Sequence, residues 1–312
     1  MSTTAIVFPG QGSQSVGMLA ELSKNNPLII ELFADVSNRL AFDLWDLVQQ
    51  GPELQLNQTE NTQVAMLVAD VAVYKLLEQR GLPKPQMMAG HSLGEYAALV
   101  CAGAIGLAEA ALLVQSRGQL MQQTVPLGQG AMAAIVGLTD EMVQTLCLEV
   151  STDTAQVSPA NYNAIGQVVI AGNTKAVERA LTLADKMGAR MAVMIPVSVP
   201  CHCSLLTEAG FLFEHQLNQV QWKVPELPVI SNVDLSIYES IPQMIALLSQ
   251  QLYRPVRWVE TIQLMKNKGI ERIIECGPAK VLSGLLKRID KSIQGISVND
   301  EASVELALRM TP

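Results

Sequence analysis

The stretch Met87-Met88-Ala89-Gly90-His91-Ser92-Leu93-Gly94-Glu95-Tyr96-Ala97-Ala98-Leu99-Val100-Cys101 joins a short apolar run to a turn and a second apolar run. The pattern predicts a strand at 87–89, a tight turn around Ser92 and a helix at about 93–101. Gly-x-Ser-x-Gly between a strand and a helix is typical of a nucleophile elbow, whose strained turn exposes the serine hydroxyl. A glycine-rich connection without catalytic function has the same letters by chance, so Ser92 is a candidate nucleophile at this point.

Short apolar strands and helices alternate on both sides of this elbow. Residues 5–8 are a predicted strand that runs into Pro9-Gly10-Gln11-Gly12-Ser13-Gln14, a turn of the kind that lines sites at the carboxyl ends of strands. Because strands that alternate with helices form parallel sheets, we predict an α/β fold with a mostly parallel sheet. The other elements predicted for this sheet are helices at 62–79, 107–122, 205–220, 256–268 and 281–288, a helix from 242, and strands at 228–231, 270–276 and 296–298.

Residues 128–198 have a different order of elements. Their apolar patterns predict strands at 131–137, 156–161, 168–171 and 191–197, with helices at 140–150 and 174–187. This β-α-β-β-α-β order is that of a ferredoxin-like unit. We therefore predict a main α/β domain formed by residues 1–127 and 199–312, with a ferredoxin-like domain inserted at 128–198.

The composition excludes several classes of protein. Lys and Arg number 21 against 29 Asp and Glu, so the formal net charge is −8, and no basic run offers a surface for nucleic acid or an anionic membrane. The apolar stretch 97–114 carries only Glu109 as a charge, but Gly103 and Gly106 interrupt it, which favours buried helices over a membrane span. The five cysteines are odd in number and scattered, and no signal peptide is recognisable, so we expect a reducing cytoplasm.

A serine hydroxyl needs a base, and the chain has three histidines. The side chain of His91 should point away from Ser92, because successive residues of an extended segment alternate in direction. His215 is expected on the surface of a helix. His202 follows a turn where the chain re-enters the main sheet, and we favour it as the base.

Two other roles for His202 stay open on the sequence: capping a helix, or binding a metal with Cys201 and Cys203. Three consecutive residues do not converge easily on one tetrahedral ion, and no further Cys or His lies close in sequence. We therefore predict no metal site.

Arg117 is out of place on its predicted helix. At about 100° per residue it falls among apolar residues, whereas the glutamines of this helix occupy the opposite face. A buried guanidinium must pair with an anion or lose several kcal/mol. It can form a structural ion pair with a core carboxylate, reach solvent at the helix end, or grip the carboxylate of a substrate with two parallel hydrogen bonds.

Several segments together resemble the malonyl-CoA:acyl carrier protein transacylases of type II fatty acid synthesis, over the whole chain. The set is far more specific than any one motif. The matching segments are 8–14 (Phe-Pro-Gly-Gln-Gly-Ser-Gln), 90–96, Arg117-Gly118 with Met121-Gln122, 166–172, Val199-Pro200-Cys201-His202 and Glu275-Cys276-Gly277-Pro278. One departure is at Ala164-Ile165, where the family usually has a small residue and a proline.

The resemblance implies a hydrolase-like α/β domain with a ferredoxin-like insertion, and a ping-pong transfer through a malonyl-serine. It implies no cofactor: malonyl-CoA is a substrate, and the phosphopantetheine is carried by the partner, an acyl carrier protein. The implied residue roles are Ser92 as nucleophile, His202 as base, the backbone N–H groups of Gln11 and Leu93 as oxyanion hole, Arg117 on the malonyl carboxylate, the Gln251 carbonyl orienting His202, and Met121 and Asn163 in the pocket.

An acidic carrier protein must dock on local cations of this acidic chain. We expect them in two groups: Lys280, Lys287, Arg288 and Lys291 near the C-terminal end, and Lys186 and Arg190 across the cleft. Two other functions remain open. One is a serine esterase or thioesterase with water as acceptor. The other is a non-catalytic subunit that binds the carrier protein, or a nucleotide-binding domain on the turn at 10–17, although Ser15 stands at its third glycine position.

Overall fold

The computed structural model describes residues 3–310. Its strands are β1 (Thr4–Phe8), β2 (Met87–Gly90), β3 (Gly130–Val136), β4 (Val157–Ala164), β5 (Gln167–Asn173), β6 (Met191–Ile195), β7 (Val229–Ile230), β8 (Arg272–Cys276) and β9 (Gln294–Val298). Its helices are α1 (Ala20–Ser23), α2 (Pro27–Ser37), α3 (Leu44–Gln50), α4 (Glu53–Leu56), α5 (Thr59–Gln79), α6 (Gly94–Cys101), α7 (Leu107–Thr124), α8 (Asp140–Val150), α9 (Thr174–Lys186), α10 (Thr207–Leu217), α11 (Ile241–Gln250), α12 (Trp258–Asn267), α13 (Val281–Ile289) and α14 (Glu301–Arg309).

The main sheet has the order β7-β2-β1-β8-β9, and all of its pairings are parallel. Side chains alternate along β1: Ile6 and Phe8 pack with α5, α6 and α7, whereas Ala5 and Val7 pack with α12 and α13. Burial of both faces explains why these strands are continuously apolar in sequence. The predicted α/β class is confirmed.

The small sheet has the order β4-β5-β3-β6 and is antiparallel throughout. Helices α8 and α9 cover one face. Met132, Val169 and Ala171 on the other face pack against Cys203 and Leu205 of the chain that returns to the main sheet. This is the predicted ferredoxin-like arrangement. The exact domain boundaries at 127/128 and 198/199 stay a prediction, and their outer ends, residues 1, 2, 311 and 312, lie outside the described range.

Several predicted elements differ in extent from the observed ones. Helix α12 begins at Trp258 rather than at 256, because the Val256 N–H donates to the Ala160 carbonyl and its own carbonyl accepts from Tyr162. These bonds tie β4 of the small sheet to the main domain. Helices α1–α4 and α14 had no prediction. None of the helices within residues 3–310 combines the length and apolarity that crossing a bilayer requires.

Candidate active site

The elbow forms where β2 meets α6. Ser92 has a positive φ of 53°, a conformation that is costly for residues other than glycine. A Cβ on Gly90 would lie 1.8 Å from the Gly94 carbonyl carbon, and one on Gly94 would lie 2.1 Å from the Phe8 oxygen. Both glycines are therefore required by close backbone approach. The turn presents Ser92 at the carboxyl end of the parallel sheet.

His202 contacts the serine directly. Its Nε2 lies 2.7 Å from Ser92 Oγ, and its Nδ1 lies 2.7 Å from the Gln251 carbonyl oxygen. A carbonyl can only accept, so Nδ1 carries the proton and Nε2 is free to accept from the serine hydroxyl. The partner that orients the ring is a backbone carbonyl and not a carboxylate. The structure thus brings together the residues that were predicted as nucleophile, base and orienting group.

Burial and a neighbouring cation keep His202 neutral. The ring is 3% exposed. Desolvation, with the positive charge of Arg117 second, lowers the pKa of His202 from 6.5 to about 3. The imidazole is therefore in the form that accepts a proton before any substrate binds.

Arg117 lies beside the serine, with 2% exposure. Its two terminal nitrogens donate to amide oxygens, at 2.9 Å to Gln63 and 3.0 Å to Gln251, and one lies 3.5 Å from Ser92 Oγ. The guanidinium carbon lies 5.6 Å from the centre of the Tyr96 ring, where a cation–π contact stabilises it.

No carboxylate within residues 3–310 forms a salt bridge with Arg117, and its buried Nε has no hydrogen-bond partner there. The structural ion pair considered from the sequence is therefore wrong. A buried cation with a free donor beside the nucleophile is suited to an anionic substrate group.

A cavity of about 180 Å³ opens in front of Ser92. The turn at 9–14 forms one wall of the cavity. It lies close against the elbow, since a Cβ on Gly10 would be 2.5 Å from the His91 oxygen and only glycine allows that approach. The backbone N–H groups of Gln11 and Leu93 have no acceptor among the described residues. Both N–H groups are therefore available to an oxyanion, and their role as an oxyanion hole stays a prediction. The residues lining the cavity include Gln11, Ser92, Leu93, Arg117, Asn163 and His202.

The two residues predicted to line the pocket, Asn163 and Met121, differ in position. Asn163 lines the cavity, and its Oδ1 lies 2.8 Å from Nε2 of His91, whose ring lies against Trp258. Met121 does not line it. One turn after Arg117 on the same face of α7, Met121 is buried in the core, and its sulfur accepts a hydrogen bond from Gln63 at 3.5 Å. The assignment of Met121 to the pocket stays a prediction that this position does not support.

The remaining histidine and the two cysteines beside His202 have other surroundings or other contacts than Ser92. His215 is exposed on α10, as expected. The thiols of Cys201 and Cys203 hydrogen-bond to the carbonyls of Val199 and Pro200. Within the described range, no cluster of three or more His, Cys, Asp or Glu side chains could hold a metal ion.

The six predicted docking cations are all exposed. Arg288 donates to the side chain of Gln167, so α13 adjoins the start of β5. Arg190 lies beside the same turn, with Ile165 and Gly166. Lys186 is in the last turn of α9, which covers the face of the small sheet away from Ser92.

Four buried polar residues at the site were not singled out from the sequence: Gln63, Glu95, Asn232 and Tyr238. Glu95 carried one available signal, since it is the only charge in the stretch 91–108 and is followed by an apolar helix. The other three have no pattern of their own.

Comparison with known proteins relates the chain to one family. The family model "Acyl transferase domain" matches residues 5–310. A malonyl CoA-acyl carrier protein transacylase from Salmonella typhimurium is 46% identical over 308 residues, 99% of each chain. The solved structure of such a transacylase from Coxiella burnetii has a TM-score of 0.98 at 46% identity and covers 99% of this chain and 98% of its own. A malonyl-transacylase solved with a type II PKS acyl-carrier protein has a TM-score of 0.97 at 46% identity, covering 99% of both chains.

Proposed function

Since the chain belongs to the acyl transferase family and, within it, to the malonyl-CoA:acyl carrier protein transacylases, we propose that Ser92 carries the malonyl group between the two thiols. The enzyme acts in fatty acid synthesis, with malonyl-CoA as donor and acyl carrier protein as acceptor. The observation that carries the assignment of residues is the juxtaposition of the Ser92–His202 pair with the buried guanidinium of Arg117, which forms no salt bridge within residues 3–310.

In the first half-reaction, Nε2 of His202 takes the proton of the Ser92 hydroxyl while Oγ attacks the thioester carbonyl carbon. The N–H groups of Gln11 and Leu93 stabilise the oxyanion of the tetrahedral intermediate. The carbon–sulfur bond then breaks, and the imidazolium returns its proton to the leaving coenzyme A sulfur. A malonyl ester on Ser92 remains.

In the second half-reaction, the phosphopantetheine thiol gives its proton to His202, and its sulfur attacks the ester carbonyl. The ester bond to Oγ breaks, and Ser92 regains its proton from His202. The two substrates use the same site in turn, so the kinetics are ping-pong. Arg117 binds the malonyl carboxylate through both steps and distinguishes malonyl from acetyl.

Binding of the substrate changes the electrostatic environment of His202. The carboxylate neutralises the charge of Arg117, which is one of the causes that depress the pKa of His202. Binding therefore raises the basicity of His202 at the moment when it must accept the proton. Acetyl, without a carboxylate, does not do this.

The carrier protein docks, in this proposal, where α13 meets the small domain. Lys280, Lys287 and Arg288 lie on or beside α13, and Arg190 lies near the turn that Arg288 contacts. Lys291 extends this group, whereas Lys186 is the least favourably placed. We also assign the reaction to the cytoplasm, because all five cysteines are free thiols.

Intact-protein mass spectrometry tests the assignment. After mixing with malonyl-CoA, one malonyl adduct should appear and map to Ser92, and Ser92→Ala should abolish it. Adding holo carrier protein should discharge the adduct onto the pantetheine thiol. Release of free malonate instead would identify a thioesterase, and a protein that never forms an adduct would be a non-catalytic binding subunit.

A further inference from the structure

One residue, Gln251, connects three parts of the proposed machinery. The Gln251 amide nitrogen donates to the Ser92 carbonyl at 3.0 Å, and its amide oxygen accepts from Arg117 at 3.0 Å. The backbone oxygen of the same residue accepts from His202. Any change in the conformation of Gln251 therefore reaches nucleophile, base and carboxylate-binding cation together.

The orientation of this amide is not arbitrary. An amide can rotate by half a turn, which exchanges its donor and acceptor ends. The nitrogen of Gln251 also donates to Oε2 of Glu95 at 2.6 Å. A carboxylate only accepts and a guanidinium only donates, so Glu95 on one side and Arg117 on the other allow a single orientation. The flipped amide would place its NH₂ against Arg117 and its oxygen against Glu95.

Glu95 also reaches the elbow by a second path. Its carboxylate accepts from the backbone N–H of Asn232 at 3.3 Å. The Asn232 side chain accepts from the Ser92 N–H and donates to the Gly90 carbonyl, both at 2.7 Å. The Tyr238 hydroxyl donates to the other oxygen of Glu95 and fixes the carboxylate itself.

We propose that Glu95 is a positioning residue for malonyl selectivity: its buried carboxylate holds the Gln251 amide in the orientation that keeps Arg117 directed at the substrate carboxylate. This inference rests on the proposed roles of Arg117 and Ser92. Glu95 itself does not line the cavity in front of Ser92. It acts through Gln251, and a change there should affect malonyl, which needs Arg117, far more than acetyl, which does not.

The ionisation of Glu95 adds a second readout. Burial raises the pKa of Glu95 to about 7, against the opposing effects of the Tyr238, Gln251 and Asn232 hydrogen bonds and the charge of Arg117. The titratable or charged groups facing it are Tyr238, Tyr96 and Arg117. Protonation below this pKa makes one oxygen a donor and removes an acceptor from the network. Selectivity for malonyl should therefore be highest above about pH 7 and should fall as the pH decreases through it.

The test is Glu95→Gln, which keeps the shape but adds a donor. We expect kcat/KM for malonyl-CoA to fall roughly 10-fold or more, the scale of losing a hydrogen bond to a charged group, while acylation of Ser92 by acetyl-CoA changes less than about 3-fold. The fall of selectivity with decreasing pH should disappear in the variant. Tyr238→Phe, which removes one donor to Glu95, should shift selectivity in the same direction by a smaller factor.

The matched control is Asp70→Asn, the same replacement of a carboxyl by an amide at a fully buried side chain whose oxygens have no hydrogen-bond partner within the described range. It should alter thermal stability without altering selectivity. Equal losses for malonyl and acetyl in Glu95→Gln would make Glu95 structural and overturn the inference, and if that variant does not fold, unchanged selectivity in Tyr238→Phe would do so. Failure of the proposed function looks different, because wild-type protein would then form no malonyl adduct on Ser92.

Discussion

Replacing Arg117 by Ala tests what makes this serine site specific for malonyl. In the structure the guanidinium is almost fully buried, with its Nε unpaired and one terminal nitrogen 3.5 Å from Ser92 Oγ. A malonyl carboxylate bound there without it would be a desolvated anion without a partner. Breaking such a pair costs about 2 to 5 kcal/mol, or roughly 30-fold to a few thousand-fold in kcat/KM.

Acetyl should respond in the opposite sense. The acetyl group offers nothing to pair with the buried cation, so its transfer should hold steady or rise in Arg117→Ala, and the ratio of malonyl to acetyl should collapse or invert. Arg117→Lys should recover little, because an ammonium lacks the two-pronged geometry. The truncation also leaves the amide oxygens of Gln63 and Gln251 without their donor, so some loss of stability is expected.

The assay is kcat/KM for both thioesters in wild type and the two variants, with the thermal midpoint of each protein measured alongside. Arg309→Ala, at a side chain that is 78% exposed, is the control for removing a charge. Equal losses for malonyl and acetyl in Arg117→Ala would mean that the arginine only supports the fold, and the reasoning above would be refuted.

Three further outcomes are expected. His202→Ala should slow acylation of Ser92 about 100- to 10,000-fold in rapid-quench experiments, and a comparable loss in His215→Ala with none in His202→Ala would show that the base is wrongly assigned. Because the pKa of His202 is lowered from 6.5 to about 3, the proton-accepting form persists as pH falls, so acetylation of Ser92 by acetyl-CoA should show no loss centred at 6.5; a midpoint there would contradict the assignment of a buried, neutral base. Reversing the charge of Lys287 and Arg288 should raise KM for carrier protein and spare acylation by malonyl-CoA, and added salt should weaken transfer in wild type, whereas salt-independent transfer would count against this docking surface.

The sequence alone predicted much of the site because its key residues have local signals. Ser92 lies in a motif that is continuous in sequence, although only Gly90 is required by a contact a few residues away, since Gly94 is required by its approach to Phe8 on β1. Arg117 is visible as a charge on an apolar helix face, and His202 follows from the scarcity of histidines. The order of strands and helices in 128–198 likewise predicts the small antiparallel sheet, since strand alternation and helix periodicity are properties of neighbouring residues.

What only the tertiary structure decided is how distant segments meet. No shared sequence pattern connects Glu95, Asn232, Tyr238 and Gln251. Their contacts join α6 to segments more than a hundred residues later in the chain. Parallel strands need long connections, so residues that meet at the end of such a sheet lie far apart in sequence. Met121 illustrates the same limit: it lies on the same face of α7 as Arg117, but the longer arginine reaches the cavity while the methionine ends in the core beside Gln63. Periodicity determines which way a side chain points. The depth of the cavity, and therefore which side chains reach it, depends on how α5, α7 and the elbow pack together.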